Sequence, residues 1–313
     1  MIEIFYIVLP IYFAIGLGFG LVRTKLFSPD DMRVLGRFVM TIAFPALIFH
    51  SVVTRPLAEV LNPDYMITYG LAGLVMIALS FSVFSLLGWD ARTRAAGVMG
   101  ASCPNNGFVG YAFFLLAMPD QATLIVVLNF LVENILIVPI CLMLLRSAED
   151  DQSAGLSRIA GILWSVLRTP LIVALLLGVM VNLAGLGLPK PVEHFTGILA
   201  GAASALGLIV IGGALASLPP ATRFARAGVV ALGKVAVAPA VAALIAIGLM
   251  GLGVVALSPQ MFAIVVLSAA MPTFTIFVVF AQELRLEGFA SVVLAIATLS
   301  AFVSLSVLLA LLT

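Results

Sequence analysis

Ser102-Cys103-Pro104-Asn105-Asn106-Gly107 and Ala270-Met271-Pro272-Thr273-Phe274-Thr275 interrupt two otherwise apolar stretches, 93–118 and 259–282. A proline inside a helix removes a backbone donor and clashes with the preceding turn, so each stretch is expected to break or kink there. In a bilayer the freed carbonyls need partners, and irregular backbone is tolerated only against protein or a water-filled cavity. One such proline reads as a simple kink. Two of them, 168 residues apart and flanked by polar or small residues, read as a matched pair, and that points to a central binding site.

The rest of the chain fits a membrane setting. Of its 313 residues 63% are hydrophobic and 9% charged, and the mean hydropathy is +1.27. Soluble domains carry about 25% charged residues. Apolar runs give ten expected spans, at 4–22, 36–54, 65–88, 94–118, 121–145, 170–187, 195–217, 228–252, 259–282 and 288–312. The first has Glu3 and no basic residue before it, with Arg23 and Lys25 after it, so it reads as a retained span and not a signal peptide. The net charge of +1 offers no basic field for nucleic acid. Cys103 and Cys141 form no CxxC pair, and His50 and His194 form no metal-binding motif, so neither metal nor cofactor is expected.

Charge alternates between successive loops. Those after the odd-numbered spans hold Arg23, Lys25, Arg33, Arg37, Arg92, Arg94, Arg146, Arg158, Arg168, Arg223, Arg226 and Arg285; the other side holds Arg55 and Lys190. Twelve against two places both termini outside the cytoplasm. The polar stretch Arg146 to Ser157 reads as a linker, and Leu156 to Leu167 as a short interfacial helix. The expected division is therefore 1–146, a linker at 147–169, and 170–313. Five spans per half is odd, so related halves would be inverted repeats.

Polar groups at membrane depth carry the candidate chemistry. Asn105 and Asn106 follow the first break, with Gly107 allowing close backbone approach. An asparagine can hold a carboxylate or a neutral polar group, and the helix starting after Pro104 points its positive end at the break. Two readings stand: ligand contact, or mere caps of a broken helix. Glu133 near the centre of span five reads as a proton or sodium carrier, or as a structural carboxyl. Lys234, about 12 Å along the helix from Arg226, reads as a lysine snorkelling to the surface, or else as a partner for an anion or for Glu133. At the second break Thr273 and Thr275 offer hydroxyls that membrane helices often bond back to their own backbone, and Phe274 offers an apolar wall.

Phe44-Pro45-Ala46-Leu47-Ile48-Phe49, the run Pro104 to Gly110 (PNNGFVG) and Ala270-Met271-Pro272 together resemble the auxin efflux carrier family, bacterial relatives of the plant PIN auxin transporters. The resemblance covers nearly the whole chain. It implies an all-α membrane protein of ten helices in two inverted five-helix repeats. Helices one, two, six and seven would form a scaffold, and helices three to five and eight to ten a transport domain, with helices four and nine crossing at Pro104 and Pro272 near mid-membrane. It implies a secondary transporter of small organic anions, dicarboxylates or auxin-like acids, working by alternating access in the inner membrane. Asn105 and Asn134 match the family's polar substrate contacts best, and a homodimer is open to it.

A sodium-coupled symporter resembling the bile-acid carriers is the alternative, and it would need carboxylate and amide oxygens around the second break. An intramembrane enzyme would need paired catalytic groups at membrane depth, which this sequence does not offer. A channel would need a polar-lined helix or repeated subunits, and neither is evident.

Overall fold

The computed structural model describes residues 2–56, 61–149, 161, 168–218 and 223–312, and among these every regular element is a helix. In chain order they are α1 (Ile2–Arg23), α2 (Pro29–Thr54), α3 (Pro63–Leu86), α4 (Ala91–Ser102), α5 (Asn106–Ala117) and α6 (Ala122–Ala148). Then follow α7 (Pro170–Leu183), α8 (Lys190–Ala216), α9 (Phe224–Gly251), α10 (Pro259–Ala270), α11 (Phe277–Glu283) and α12 (Glu287–Leu312). Seven of these, α1, α2, α3, α6, α8, α9 and α12, are long and apolar enough to cross a membrane, and α5, α7 and α10 are shorter apolar helices. The interfacial helix expected over Leu156–Leu167 lies outside the described residues, Gly161 apart.

The helices start where capping chemistry says they should. Ser28, Asn62, Asp90 and Ser258 each accept a bond from the backbone N–H three residues on, and Pro29, Pro63 and Pro259 open the first turns behind three of them. Several helices are apolar on all sides, as lipid contact requires, and large side chains such as Leu244, Leu299 and Val303 remain on the outside. Burial separates centre from rim: α6 is mostly buried and α1 mostly exposed.

Close backbone contact joins helices far apart in the sequence. A Cβ on Gly18 would stand 2.0 Å from the Ile209 carbonyl oxygen, and one on Gly212 1.9 Å from the Ile15 carbonyl oxygen. Only glycine lets α1 and α8 touch in this way. On α7 a Cβ on Gly178 would meet Val52 of α2 at 3.0 Å. So α1 lies against α8, and α7 against α2.

Polar contacts tie the helix ends. Near the start of α4, Asp90 faces Arg223 at 3.6 Å and Arg226 at 3.5 Å. Burial raises the Asp90 carboxyl, but the Thr93 N–H and hydroxyl and the Arg223 guanidinium outweigh it and hold it below the usual carboxylate range. Elsewhere Ala256 N–H donates to Asp64 at 3.0 Å, Gln121 donates to Gln260 at 3.1 Å, and Arg55 donates to the Asp120 carbonyl.

Candidate functional site

The two proline breaks meet. α4 stops at Ser102 and α10 at Ala270, and the extended segments that follow run antiparallel, Pro104 opposite Thr273. Asn105 N–H donates to the Pro272 carbonyl at 2.7 Å, and Phe274 N–H to the Cys103 carbonyl at 3.1 Å.

Each proline also lacks the amide that would pair with the carbonyl four residues back, Gly100 and Ser268, although Ser268 keeps a long bond from the Met271 N–H at 3.4 Å. The Thr273 hydroxyl donates to the Gly100 carbonyl at 2.7 Å, and the Asn106 amide donates to the Ser268 carbonyl at 3.3 Å. Lys234 Nζ donates to the Ala269 carbonyl at 2.6 Å, in the last turn of α10. A cation there complements the negative helix end. Side chains thus supply what proline removed, as the absence of water in a bilayer core demands.

A polar cluster stands behind the crossing. Glu133 Oε1 accepts from Tyr69 OH at 2.8 Å and from the Asn106 amide at 2.6 Å. Tyr65 OH donates to Asn129 at 2.5 Å, and Asn129 donates to the Ser268 hydroxyl at 3.0 Å. Glu133 opens one wide π-helical turn in α6, and Lys234 lies in another in α9. Wide turns of this kind recur at functional sites. Lys234 does not snorkel: it is 0% exposed, and its ammonium points into the bundle.

In front of the crossing lies a cavity of about 460 Å³. Met40, Thr41 and Phe44 of α2 and Pro170 and Leu171 of α7 line one side. Asn105, Gly107, Phe130, Glu133, Asn134, Phe274, Thr275 and Phe280 line the other, and Arg146 and Thr169 lie along the wall. Asn105 does two jobs. Its side-chain oxygen accepts from Phe108 N–H at 3.2 Å, which caps the start of α5, and its amide donates to Thr275 at 3.0 Å. Gly107 leaves room for rings: a Cβ there would stand 3.0 Å from Phe130 and 3.3 Å from Phe44.

The expected site residues fall into two groups. Asn105, Gly107, Asn134, Phe274 and Thr275 line the large cavity, although Asn134 turns its amide back to the Phe130 carbonyl at 3.0 Å. Asn106 and Thr273 are buried behind it as partners of freed carbonyls, with Pro104 and Glu133 on the boundary. Lys234 stays on the hidden side. Sequence reading passes over Tyr65 and Tyr69, four apart on one face of α3, a spacing that could flag them. It also passes over Arg146 as a wall residue.

A multi-pass helical chain with broken helices crossing beside a cavity belongs to the class of membrane transport proteins. Residues 3–309 match the family described as Membrane transport protein, and the chain belongs to that family, which is auxin efflux carrier-like. It is similar to the "Putative malonate transporter" of Rhizobium meliloti (strain 1021), 28% identical over 221 residues, spanning 70% of this chain and 69% of the relative. It is also similar to the "Uncharacterized transporter YfdV" of Escherichia coli (strain K12), 28% identical over 216 residues, 67% of this chain and 68% of that one. The protein is a membrane transporter and not an enzyme.

Proposed function

We propose that the protein is a secondary transporter of small organic anions, and that the cavity beside the Pro104–Pro272 crossing holds the carboxylate. The observation that carries this reading is the position of Asn105. It stands at the positive end of α5, with its side chain on the cavity and bonded to Thr275 of the opposite break. A carboxylate there meets amide and hydroxyl donors and a favourable helix dipole. Phe44, Phe130, Phe274 and Phe280 give the rest of the ligand an apolar surround. A relative named for malonate supports a carboxylate as the recognised group.

Two inverted five-helix repeats make up the chain in this reading, ten spans in all. The reciprocal contacts of α1 with α8 and α7 with α2 support the repeat, as does the meeting of the two breaks. Helices α1, α2, α7 and α8 form the scaffold; α3 to α6 and α9 to α12 form the transport domain. The cavity lies between these two groups, where a rigid-body movement of one against the other would expose the anion to alternate sides. In this reading the chain spans the cytoplasmic membrane with both termini outside, an orientation that the loop charges support. The cavity then faces the cytoplasm, because it runs to Arg146 and Thr169 on the positive side.

The test is a thermal-shift screen of mono- and dicarboxylates, malonate included, on purified protein, followed by uptake into proteoliposomes. At least one carboxylate should stabilise the protein and be taken up with saturation. Saturable uptake of neutral or cationic solutes alone would refute the reading.

A further inference from the structure

A second cavity of about 20 Å³ sits behind the crossing, lined by Tyr69, Ser102, Pro104, Glu133, Lys234 and Ala269 among others. That is room for one water, which needs roughly 10–15 Å³. The Ser102 hydroxyl on its wall is buried and has no hydrogen-bond partner, an arrangement that native proteins resolve with an ordered water. Glu133 lines this cavity and the large one, whereas Lys234 lines only the small one. Both hydrogen bonds to Glu133 fall on Oε1, so Oε2 carries none among the described residues. No direct ion pair among the described residues joins Glu133 to Lys234.

We infer that Ser102 holds one water between Glu133 and Lys234, and that Glu133 Oε2 is a proton-binding site shared between this water and the large cavity. The inference rests on the anion-transport reading and supplies its coupling. In this proposal Lys234 is an ammonium throughout, with its Nζ donating to the Ala269 carbonyl. With Glu133 as carboxylate the pair is neutral. One proton passes from cavity water to Oε2, forming an O–H bond and leaving hydroxide to the solvent, and the pair then carries one positive charge. An anion in the adjoining cavity finds a repelling carboxylate replaced by a neutral acid, with an uncompensated ammonium behind it. Anion and proton therefore bind together. The other titratable groups facing Glu133 are Tyr69 and Tyr65 from α3 and Cys103 at the break.

The test needs no substrate, so it fails separately from the transport reading. Infrared difference spectra of purified protein are recorded while pH is lowered. Subtracting the Glu133→Gln spectrum from the wild-type spectrum should leave one carboxyl C=O band, that of Glu133. In Lys234→Gln its midpoint should move to higher pH, with proton affinity raised about tenfold or more, because the neighbouring cation is gone. A water O–H band sensitive to heavy-oxygen water should accompany it and vanish in Ser102→Ala, which carries the test if Lys234→Gln does not fold. Wild-type and Glu133→Gln spectra with no carboxyl C=O difference between them overturn the proton site. A water band unchanged in Ser102→Ala overturns the bridging water.

Discussion

The Thr273 hydroxyl donates to the carbonyl of Gly100 at 2.7 Å, the carbonyl that Pro104, four residues further on, leaves without an amide. Its counterpart is the Asn106 amide on the Ser268 carbonyl, freed by Pro272. Each break is thus completed by a side chain of the other, and the crossing is a mutual repair of two damaged helices. Broken alone in a bilayer, α4 would leave the Gly100 carbonyl orphaned, and α10 would leave Ser268 with only the 3.4 Å bond from the Met271 N–H.

This relationship predicts an asymmetry between two conservative substitutions. Thr273 is fully buried, so Thr273→Val keeps the shape and strands the Gly100 oxygen, at a cost of about 1–3 kcal/mol. Thr273→Ser keeps the donor and should lose less. Thermal unfolding of the detergent-solubilised variants should show a clear drop in midpoint for valine and a smaller one for serine. Equal drops would mean that methyl packing, not the hydrogen bond, holds this position.

The breaks are legible in sequence because proline acts locally: it removes one donor wherever it falls. The helix limits follow from apolar runs and from caps such as Asn62 and Ser258. The partners are not legible. Asn106 and Ser268 lie 162 residues apart, and nothing local to either says that they meet. Lys234 is ambiguous in sequence for a related reason. Its helix is apolar on most sides, so distance from Arg226 suggests an escape to the surface, yet Arg226 turns to Asp90 while Lys234 turns inward to Ala269. Of the two asparagines after the first break, Asn105 caps α5 and lines the large cavity, whereas Asn106 is turned to Glu133 and the Ser268 carbonyl.

The contact between α1 and α8 predicts which glycines are replaceable. A Cβ at Gly212 would meet backbone of α1, which cannot swing aside as a side chain can. Gly212→Ala should therefore cost about 1–3 kcal/mol or more. Gly16, two residues from Gly18, has nothing within 4 Å of the point where a Cβ would stand, and Gly16→Ala should be near neutral. Unfolding midpoints compared in one detergent check both, and a Gly212→Ala protein as stable as wild type would contradict this helix contact.

The proposed orientation predicts opposite labelling of two loops. Single cysteines at Thr24, between α1 and α2, and at Val254, between α9 and α10, are both exposed, while the native Cys103 and Cys141 are buried and should stay silent. A membrane-impermeant thiol reagent added to intact cells should label Val254→Cys and leave Thr24→Cys unlabelled until the membrane is opened. The reverse pattern would invert the topology and turn the cavity to the outside.

Asn105 offers the sharpest division between holding a helix and holding a ligand. Asn105→Ala removes the cap on Phe108 N–H and the bond to Thr275 together. Asn105→Asp restores the cap, because aspartate is as good at that position as asparagine, and its oxygen can accept from the Thr275 hydroxyl. What aspartate adds is a negative charge on the cavity wall. If Asn105 only caps α5, transport should recover in the aspartate variant. If a carboxylate binds beside it, like charges about 4 Å apart cost about 4 kcal/mol at the effective dielectric of a protein site, and uptake should fall by more than about a hundredfold. Both variants should elute as single species, since Pro104 sets the break whatever follows it. Uptake of a transported carboxylate in proteoliposomes, with binding followed by thermal shift, separates the outcomes: aspartate at least as impaired as alanine fits carboxylate contact, and near-normal transport by aspartate excludes it.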